Sequence, residues 1–357
     1  MIARGYARAF AESIFEQIKG FSEYGFPESH AASFALLVYA SCWIKCVEPA
    51  AFLAAMLNSQ PLGFYSPSQL VQDARRHGVE VRAVDVMASD VDATLEDDPC
   101  NSCDAPDLPH SPDSTNSPPS SDQPAVRLGL RLLSSLRHES ALRIVAARRQ
   151  SPFECAGDLS RRAGLALHEM KLLAAGDALV SLSGHRRQQV WEASALQATP
   201  ALLRDAPTEE DWLELPPVPE GEEIVWDYAA TSLTLRHHPL ALLRPRLARR
   251  GFLPSGQLRE LPNGQLVRAC GLVTLRQQPE TASGKVFVSP EDEDGAVQVI
   301  IWKRLRERQR RELLSARLLG VAGLWQREGE VRSLIAHQLS DLSDWLGRLG
   351  VASRDFR

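Results

Sequence analysis

Three short apolar runs, "LVRACGLVTLRQQ" (266–278), "VFVSP" (286–290) and "VQVIIW" (297–302), decide the fold of the C-terminal region. A glycine-containing turn, "ASGK", separates the first two, and an acidic turn, "EDEDG", separates the second from the third. Apolar runs that contain Val or Ile and are bounded by such turns are typical of strands. The pattern therefore predicts three consecutive strands.

A helix and two further strands follow. The basic segment "KRLRERQRRELLSA" (303–316) has a helical pattern, while "RLLGVAGLWQ" (317–326) and "VRSLIAHQL" (331–339) are extended runs joined by the turn "REGE". Three strands, a helix and two strands predict a five-stranded Greek-key barrel of the OB type. The face and loops of such barrels commonly bind single-stranded nucleic acid.

The N-terminal region reads as helical. In "GFSEYGFPESHAASFALLVYASCWIK" (20–45), Pro27 precedes a long apolar helix and suits its first turn. Ser29 and His30 stand in that turn, where unpaired backbone N–H groups favour a phosphate. An alternative is that Ser29 only caps the helix and His30 fills a polar niche. Further on, Ser66 is predicted to cap a helix that ends near Gly78, and "VEVRAVDV" (79–86) alternates like a strand.

The composition is that of an ordinary folded protein. The 357 residues are 44% hydrophobic and 24% charged, and no apolar run reaches the roughly 20 residues of a membrane span. Without a signal-peptide pattern, and with only six cysteines, we expect a cytoplasmic protein with no membrane contact. The net charge of −5 does not exclude DNA, because basic residues gather locally between 126 and 149 and between 303 and 311.

Two long stretches resemble one known family. "KGFSEYGFPESH…RAVDV" (19–86) and "SGKVFVSPEDEDG…IAHQL" (283–339) are similar to the bacterial C-family DNA polymerases, the replicative alpha-subunit superfamily, and most of all to its error-prone branch. The resemblance implies a multidomain α+β chain. Its predicted parts are the end of the polymerase fingers (1–96), a disordered Pro/Ser/Asp-rich insertion (97–124), a helix-hairpin-helix domain (125–198), a connector (199–262), the OB domain (263–340) and a C-terminal tail (341–357).

The resemblance also implies contacts with DNA and with an incoming deoxynucleoside triphosphate. In the fingers, Lys19, Ser29 and His30 are expected to contact nucleotide phosphate, with Tyr24 and Phe26 as neighbours. Glu28 departs from the lysine common in replicative relatives and should weaken that attraction. The expected hairpin, "SSLRHES" (134–140), lacks the usual Gly-x-Gly.

The remaining candidate DNA contacts are basic or aromatic. In the barrel, Phe287 and Trp302 are candidate stacking platforms, although packing in the core is an equal alternative for each. A solvated helix face is the alternative for the arginines of the helical domain. The full set of basic candidates is Arg75, Arg76, Arg127, Arg131, Arg137, His138, Arg143, Lys285, Lys303 and Arg304.

In this family the chemistry belongs to the palm, where aspartates hold two metal ions. The chain is expected to begin inside the fingers and to lack those carboxylates, so we predict that it is inactive alone, with Mg²⁺ at the palm and no metal of its own. Asp85, Asp90 and Asp92 read as surface acids, and "CNSC" (100–103) is a weak zinc signal.

The predicted function is the C-terminal DNA-binding portion of an error-prone polymerase used in damage-induced mutagenesis and translesion synthesis. An interaction module is the alternative, with the sliding clamp and companion mutagenesis proteins as partners. The stretch "LVSLSGHRRQQVWEAS" (179–194) lies where replicative relatives carry a clamp-binding peptide, but it lacks a clear clamp-binding pattern.

Overall fold

The computed structural model describes residues 7–22, 28–62, 65–97, 123–196, 214–279, 284–350 and 354–356. The helices are α1 (Arg8–Ser22), α2 (Glu28–Val47), α3 (Pro49–Asn58), α4 (Pro67–Arg76), α5 (His138–Gln150), α6 (Ala156–Arg162), α7 (Leu167–Ala175), α8 (Val180–Ser183), α9 (Arg186–Ala195), α10 (Glu220–Thr231), α11 (Pro239–Ala248), α12 (Ser255–Glu260), α13 (Lys303–Arg308) and α14 (Arg310–Ser315). The strands are β1 (Val81–Arg82), β2 (Thr94–Glu96), β3 (Ala125–Arg127), β4 (Leu266–Gln277), β5 (Val286–Asp292), β6 (Gly295–Ala296), β7 (Val299–Ile301), β8 (Leu318–Glu328), β9 (Val331–Asp341) and β10 (Arg354–Phe356). Most of the predicted insertion lies outside the described residues.

The start of α4 follows the sequence signal closely. The Ser66 hydroxyl accepts from the backbone N–H of Gln69, and the Gln69 side chain accepts from the backbone N–H of Ser66. This reciprocal pair satisfies two N–H groups that the helix itself cannot bond, and Pro67 occupies the first helical position. The predicted cap at Ser66 is confirmed.

A small sheet joins the residues on the two sides of the insertion. Strand β3 pairs in parallel with β1, with Val81 opposite Val126, and antiparallel with β2, with Leu95 opposite Val126. Its buried side faces a core that α3, α4 and α5 to α9 share. Leu233, which follows α10, is buried in the same core. The helices before the insertion and those after it therefore share one apolar interior.

The predicted OB barrel is confirmed. Strand β4 pairs antiparallel with β5 and β8, β5 pairs antiparallel with β7, and β8 pairs antiparallel with β9. A parallel pairing of β7 with β9 closes the cylinder. Five strands thus form a closed barrel around buried side chains that include Val288, Val299 and Leu334. The single helix predicted between the third and fourth strands is two short ones, because the backbone leaves helical geometry at Gln309.

The connector covers one side of the barrel. Ile224 of α10 and Leu247 of α11 pack in a cluster with Leu272 of β4 and Leu318 of β8. A 3-10 turn at Ser343–Leu346 adds its apolar side chains to the same cluster. The outer side of β4 and β8 around Leu272 and Leu318 is therefore buried under protein.

The acidic turn after β5 attaches the barrel to its neighbours. The two carboxylate oxygens of Asp292 accept from the hydroxyl and the backbone N–H of Ser255, each at 2.6 Å. Arg244 of α11 donates to Glu293 at 2.5 and 2.6 Å, and Arg76 of α4 lies 3.7 Å from Glu291. The sequence predicted only a turn here, whereas the structure shows a point of attachment.

Candidate nucleic-acid interface

The outer side of β5, β7 and β9 carries a row of apolar side chains. Phe287 lies opposite Ile300, and Ile300 lies opposite Ile335. Their neighbours along each strand, such as Val286 and Ile301, are buried inside the barrel. Because successive side chains of a strand point to opposite faces, the row points outward, where its members are only partly covered.

One end of this row carries an aromatic ring and positive charge. The Lys285 ammonium lies 4.2 Å from the centroid of the Trp302 ring, and Trp302 is 50% exposed. Trp302 is the residue before α13, so Lys303 and Arg304 follow it on the exposed first turn of that helix. We define the β5–β7–β9 face as Lys285, Phe287, Ile300, Ile335 and Trp302.

Backbone geometry at Gly284 supports this end of the face. Gly284 has a φ of +78°, a backbone conformation that residues other than glycine rarely adopt. Its carbonyl accepts from Arg306 at 3.3 Å, which ties the start of β5 to α13. Neither Phe287 nor Trp302 belongs to the barrel core, so core packing does not account for either ring.

Three candidate arginines of the helical domain are held by neighbouring protein groups. Arg127 donates twice to Glu96, which lowers the pKa of that carboxyl, and once to a backbone carbonyl. Arg131 pairs with Asp92 at 2.7 Å. Arg143 donates to the carbonyls of residues 163 and 164, at the turn between α6 and α7. These contacts explain the three residues without DNA.

Other candidates are freer. Arg137 and His138 are exposed at the start of α5, next to the turn where Ser135 has a φ of +66°. Arg75 is exposed on α4, whereas Arg76 lies between Asp73 at 3.9 Å and the acidic turn of the barrel. The structure therefore leaves Arg75, Arg137 and His138 available to a ligand.

Comparison with known proteins adds to this geometry. The model of the Helix-hairpin-helix motif family matches residues 78–189. The error-prone DNA polymerase of Azoarcus sp. is 54% identical over 100% of this chain, and that of Ralstonia nicotianae is 52% identical over 99%. The chain is similar over its whole length to the C-terminal part of error-prone DNA polymerases.

The chain covers 32% and 31% of the lengths of these two error-prone polymerases, so it spans about a third of each. Among solved structures, asparaginyl-tRNA synthetase from Pyrococcus horikoshii matches 26% of this chain and 23% of its own at 19% identity. Its TM-score of 0.22 is too low to support an inference.

The residues predicted to contact a nucleotide run in sequence from the last turns of α1 to the first turn of α2. Tyr24 and Phe26 lie outside the described residues, and Lys19 and Ser29 lie in α1 and α2 without described side chains. His30 is exposed in the first turn of α2, with its ring 4.4 Å from that of Phe34. An exposed imidazole there is accessible to a ligand.

The aspartates considered as surface acids have structural contacts. The prediction of a surface acid is wrong for Asp85, which is buried and accepts from the backbone N–H of Met87 and the hydroxyl of Ser181. Asp90 pairs with Arg148, and Asp92 pairs with Arg131 as described above. Within the described ranges, no group of three or more His, Cys, Asp or Glu side chains could hold a metal ion. The "CNSC" segment lies outside those ranges.

Helix α2 differs from the other helices in being both long and apolar. The window His30–Val47 of α2 is long and apolar enough to cross a membrane by length and composition, which alone is weak evidence of a span. None of that window is buried, and Leu36 and Tyr39 are each 73% exposed. A face that packs on other protein has the same composition.

Sequence reasoning missed a buried ionic cluster behind the helical domain. Arg186, at the start of α9, is 1% exposed and bonds to the carboxylate of Asp227 and the backbone of Glu223 on α10. Arg236 also reaches Glu223, at 2.8 Å. The acidic spacing of α10, with Glu223 and Asp227 one turn apart, was the available signal.

The pH dependence of folding can be tested at His238, which caps α11 by accepting from the backbone N–H of Leu240. Burial lowers the pKa of His238 from 6.5 to about 4, against an opposing effect of Glu293. As the pH falls, the unfolded chain therefore protonates His238 at a higher pH than the folded chain does. The stabilisation is complete above pH 6.5 and is lost as the pH falls from 6.5 to about 4, by about 3 kcal/mol in all.

His238→Asn keeps a capping side chain and removes the titration. In denaturant unfolding between pH 7 and pH 4, the variant should lose less stability than the wild type. His337→Asn, at an exposed position of β9, is the control and should behave as the wild type. An unchanged pH profile in His238→Asn would contradict the assignment.

Proposed function

We propose that this chain is the DNA-binding C-terminal portion of an error-prone DNA polymerase that acts in damage-induced mutagenesis and translesion synthesis. The β5–β7–β9 face holds the single-stranded template. Exposed groups of the helix-hairpin-helix region, Arg137 and His138, contact duplex phosphates. The start of α2 contacts the incoming nucleotide, and nucleotidyl transfer with Mg²⁺ takes place at palm carboxylates outside these residues.

The single observation that carries the proposal is the pairing of Lys285 with Trp302 beside the outward Phe287. Bases stack on aromatic rings whatever their identity, and each stacked base contributes roughly 1–3 kcal/mol. Lysine beside the ring supplies a charge for the adjacent phosphate. Sequence-independent stacking suits a polymerase that must accept damaged templates.

The test is single-strand binding by the double variant Phe287→Ala/Trp302→Ala. From the stacking energies, the affinity for an oligothymidine single strand should fall roughly tenfold or more, while the affinity for blunt duplex should change less. Trp191→Ala is the matched control, because Trp191 is also exposed, at 54%, but lies on α9. Equal losses for the two DNA forms, or equal losses in the control, would refute the assignment of this face.

A second candidate function, docking of protein partners, is favoured by the exposed apolar side of α2. Leu36, Tyr39 and Trp43 are all more than half exposed, and an apolar face of this kind commonly marks a protein interface. By contrast, the stretch 179–194 is folded as α8 and α9, with Gln188 and Gln189 buried. A clamp-binding peptide would have to unfold from this position.

Pull-down against the sliding clamp and the companion mutagenesis proteins tests this second function. The chain should be compared with Leu36→Ser/Tyr39→Ser and with a form that lacks residues 354–357. Capture that depends on the α2 residues and persists when DNA binding is removed would support docking. Capture that is the same for all three forms would argue against α2 as the site.

A further inference from the structure

The connector helix α11 has an unusual charge pattern. Residues 239–251, "PLALLRPRLARRG", contain four arginines and no carboxylate. Arg244 is directed inward and is neutralised by Glu293 of the acidic turn. Arg246, Arg249 and Arg250 are exposed instead. In the described part of the chain, none of these three forms an ion pair with a carboxylate.

Two of these arginines meet on one aromatic ring. The guanidinium carbon of Arg246 lies 3.8 Å from the centroid of Trp345, and that of Arg250 lies 4.7 Å from the same centroid. Trp345 belongs to the 3-10 turn, and Leu346 of that turn and Leu342 just before it are buried against the barrel. The ring is therefore held in place, and it fixes two positive charges close to each other.

More positive charge surrounds this pair. Arg268 on β4 is exposed and donates to the carbonyl of Arg250 at 3.1 Å, and Arg348 is exposed just after the turn. Asp344, next to Trp345, is the exposed carboxylate of the turn, and no ion pair joins it to Arg246 or Arg250. Neighbouring like charges repel one another, and a bound anion would relieve this repulsion.

The geometry suits phosphate. A guanidinium group held over an indole ring by a cation–π contact can still use its N–H groups for hydrogen bonds, and these match two phosphate oxygens. Stacking also reduces the conformational freedom that each arginine loses on binding. A purely structural role is the alternative, in which the arginine stems cover Trp345 and the charges favour the C-terminal end of α11.

We propose that Arg246, Arg249 and Arg250, with Trp345 as their support, form a second binding surface for the phosphodiester backbone of DNA. The surface lies on the side of the barrel that α11 covers, away from the β5–β7–β9 face. It rests on the proposed DNA-binding function and extends it. The backbone can be that of the duplex or of a single strand, which the experiment distinguishes.

The experiment is a salt-titrated fluorescence anisotropy assay on the full chain, with a blunt duplex, a single strand and a duplex with a single-stranded tail. Arg246→Gln/Arg250→Gln should bind at least one of these about tenfold more weakly. The slope of log affinity against log salt should fall by about two for that DNA, because two phosphate contacts are lost. The DNA that is affected identifies the strand form that occupies the surface.

Two further variants separate binding from structure. Arg310→Gln/Arg311→Gln removes the same charge from exposed positions of α14, outside both proposed surfaces, and should change the slope less. Arg246→Lys/Arg250→Lys keeps the charge without the planar fork and should give an intermediate loss. A structural role predicts a lower thermal midpoint for the glutamine variant with unchanged affinity for all three DNAs, and that result overturns the proposal.

The two DNA proposals fail differently. If Phe287→Ala/Trp302→Ala binds single strands normally while Arg246→Gln/Arg250→Gln is weakened, the β5–β7–β9 face is wrong and the arginine surface stands. If the reverse holds, only the arginine surface is wrong. A wild-type chain that binds none of the three DNAs overturns both.

Discussion

Arg186→Leu is expected to lower the free energy of unfolding by about 3–5 kcal/mol, the cost of leaving a buried ion pair without one partner. Arg186 is almost fully buried and lies 3.0 Å from Glu223 and 3.7 Å from Asp177. Leucine fills part of the space but neutralises neither carboxylate. Arg236 contacts both groups from a more exposed position and cannot replace the buried charge.

The size of this effect should depend on pH. Burial raises the pKa of both Asp177 and Glu223 even with Arg186 present, and removing the arginine raises each further. As the pH falls, an acid with a raised folded-state pKa binds its proton in the folded chain at a higher pH than in the unfolded chain. The stability that Arg186→Leu loses relative to the wild type therefore becomes smaller toward acid pH. Denaturant unfolding at pH 7 and at pH 5 measures the difference.

Arg187→Leu is the matched control, because Arg187 is the next residue of α9 but is exposed and donates only to a backbone carbonyl, at 3.3 Å. It should change stability by less than about 1 kcal/mol. If the two variants were equally stable at pH 7, the buried cluster would contribute nothing to the join between α9 and α10.

Gly323→Ala is expected to destabilise the barrel by about 3 kcal/mol or more. A Cβ atom at Gly323 would lie 2.0 Å from the carbonyl oxygen of Ile335 and 2.8 Å from its carbonyl carbon. Both are backbone atoms of the adjacent strand β9, so no side-chain movement can relieve the clash. The position lies at an irregularity of the β8–β9 ladder, where the register shifts between residues 322 and 323.

Thermal unfolding and single-strand binding should be measured together for this variant. Both should be impaired, because separating β8 from β9 opens the cylinder that presents the β5–β7–β9 face. Gly350→Ala, which meets no atom within 4 Å, is the control and should match the wild type in both assays. A fully stable Gly323→Ala would show that β9 is placed wrongly.

Local patterns predicted the parts of this structure that depend on near neighbours. The cap at Ser66 needs only Gln69, three residues away. The barrel strands are recognisable in the sequence as apolar runs between turns. The OB topology followed because few chain paths join three strands, a helix and two strands. The break at Gln309 between α13 and α14 carried no comparable signal.

Partners distant in sequence could not be predicted in the same way. Arg127 looked like a DNA contact because its neighbours are basic, but Glu96, across the insertion, occupies its guanidinium. The acidic segment was predicted only as a turn, but Ser255 and Arg244 converge on it from the connector. The outward row from Phe287 to Ile335 likewise required the register of three strands. The sequence of a basic or acidic segment gives its charge. Whether the charged groups contact other protein groups or solvent depends on the fold.

The parallel pairing of β7 with β9 has a consequence for synthesis on the ribosome. Strands β4, β5 and β7 emerge first, but the edge of β7 stays unpaired until residues 331–341 have left the exit tunnel. Nascent chains stalled before that point should therefore expose the unpaired backbone N–H and C=O groups of β7 and recruit chaperones. Once β9 leaves the exit tunnel, the barrel can close, and the newly synthesised domain should become resistant to proteases.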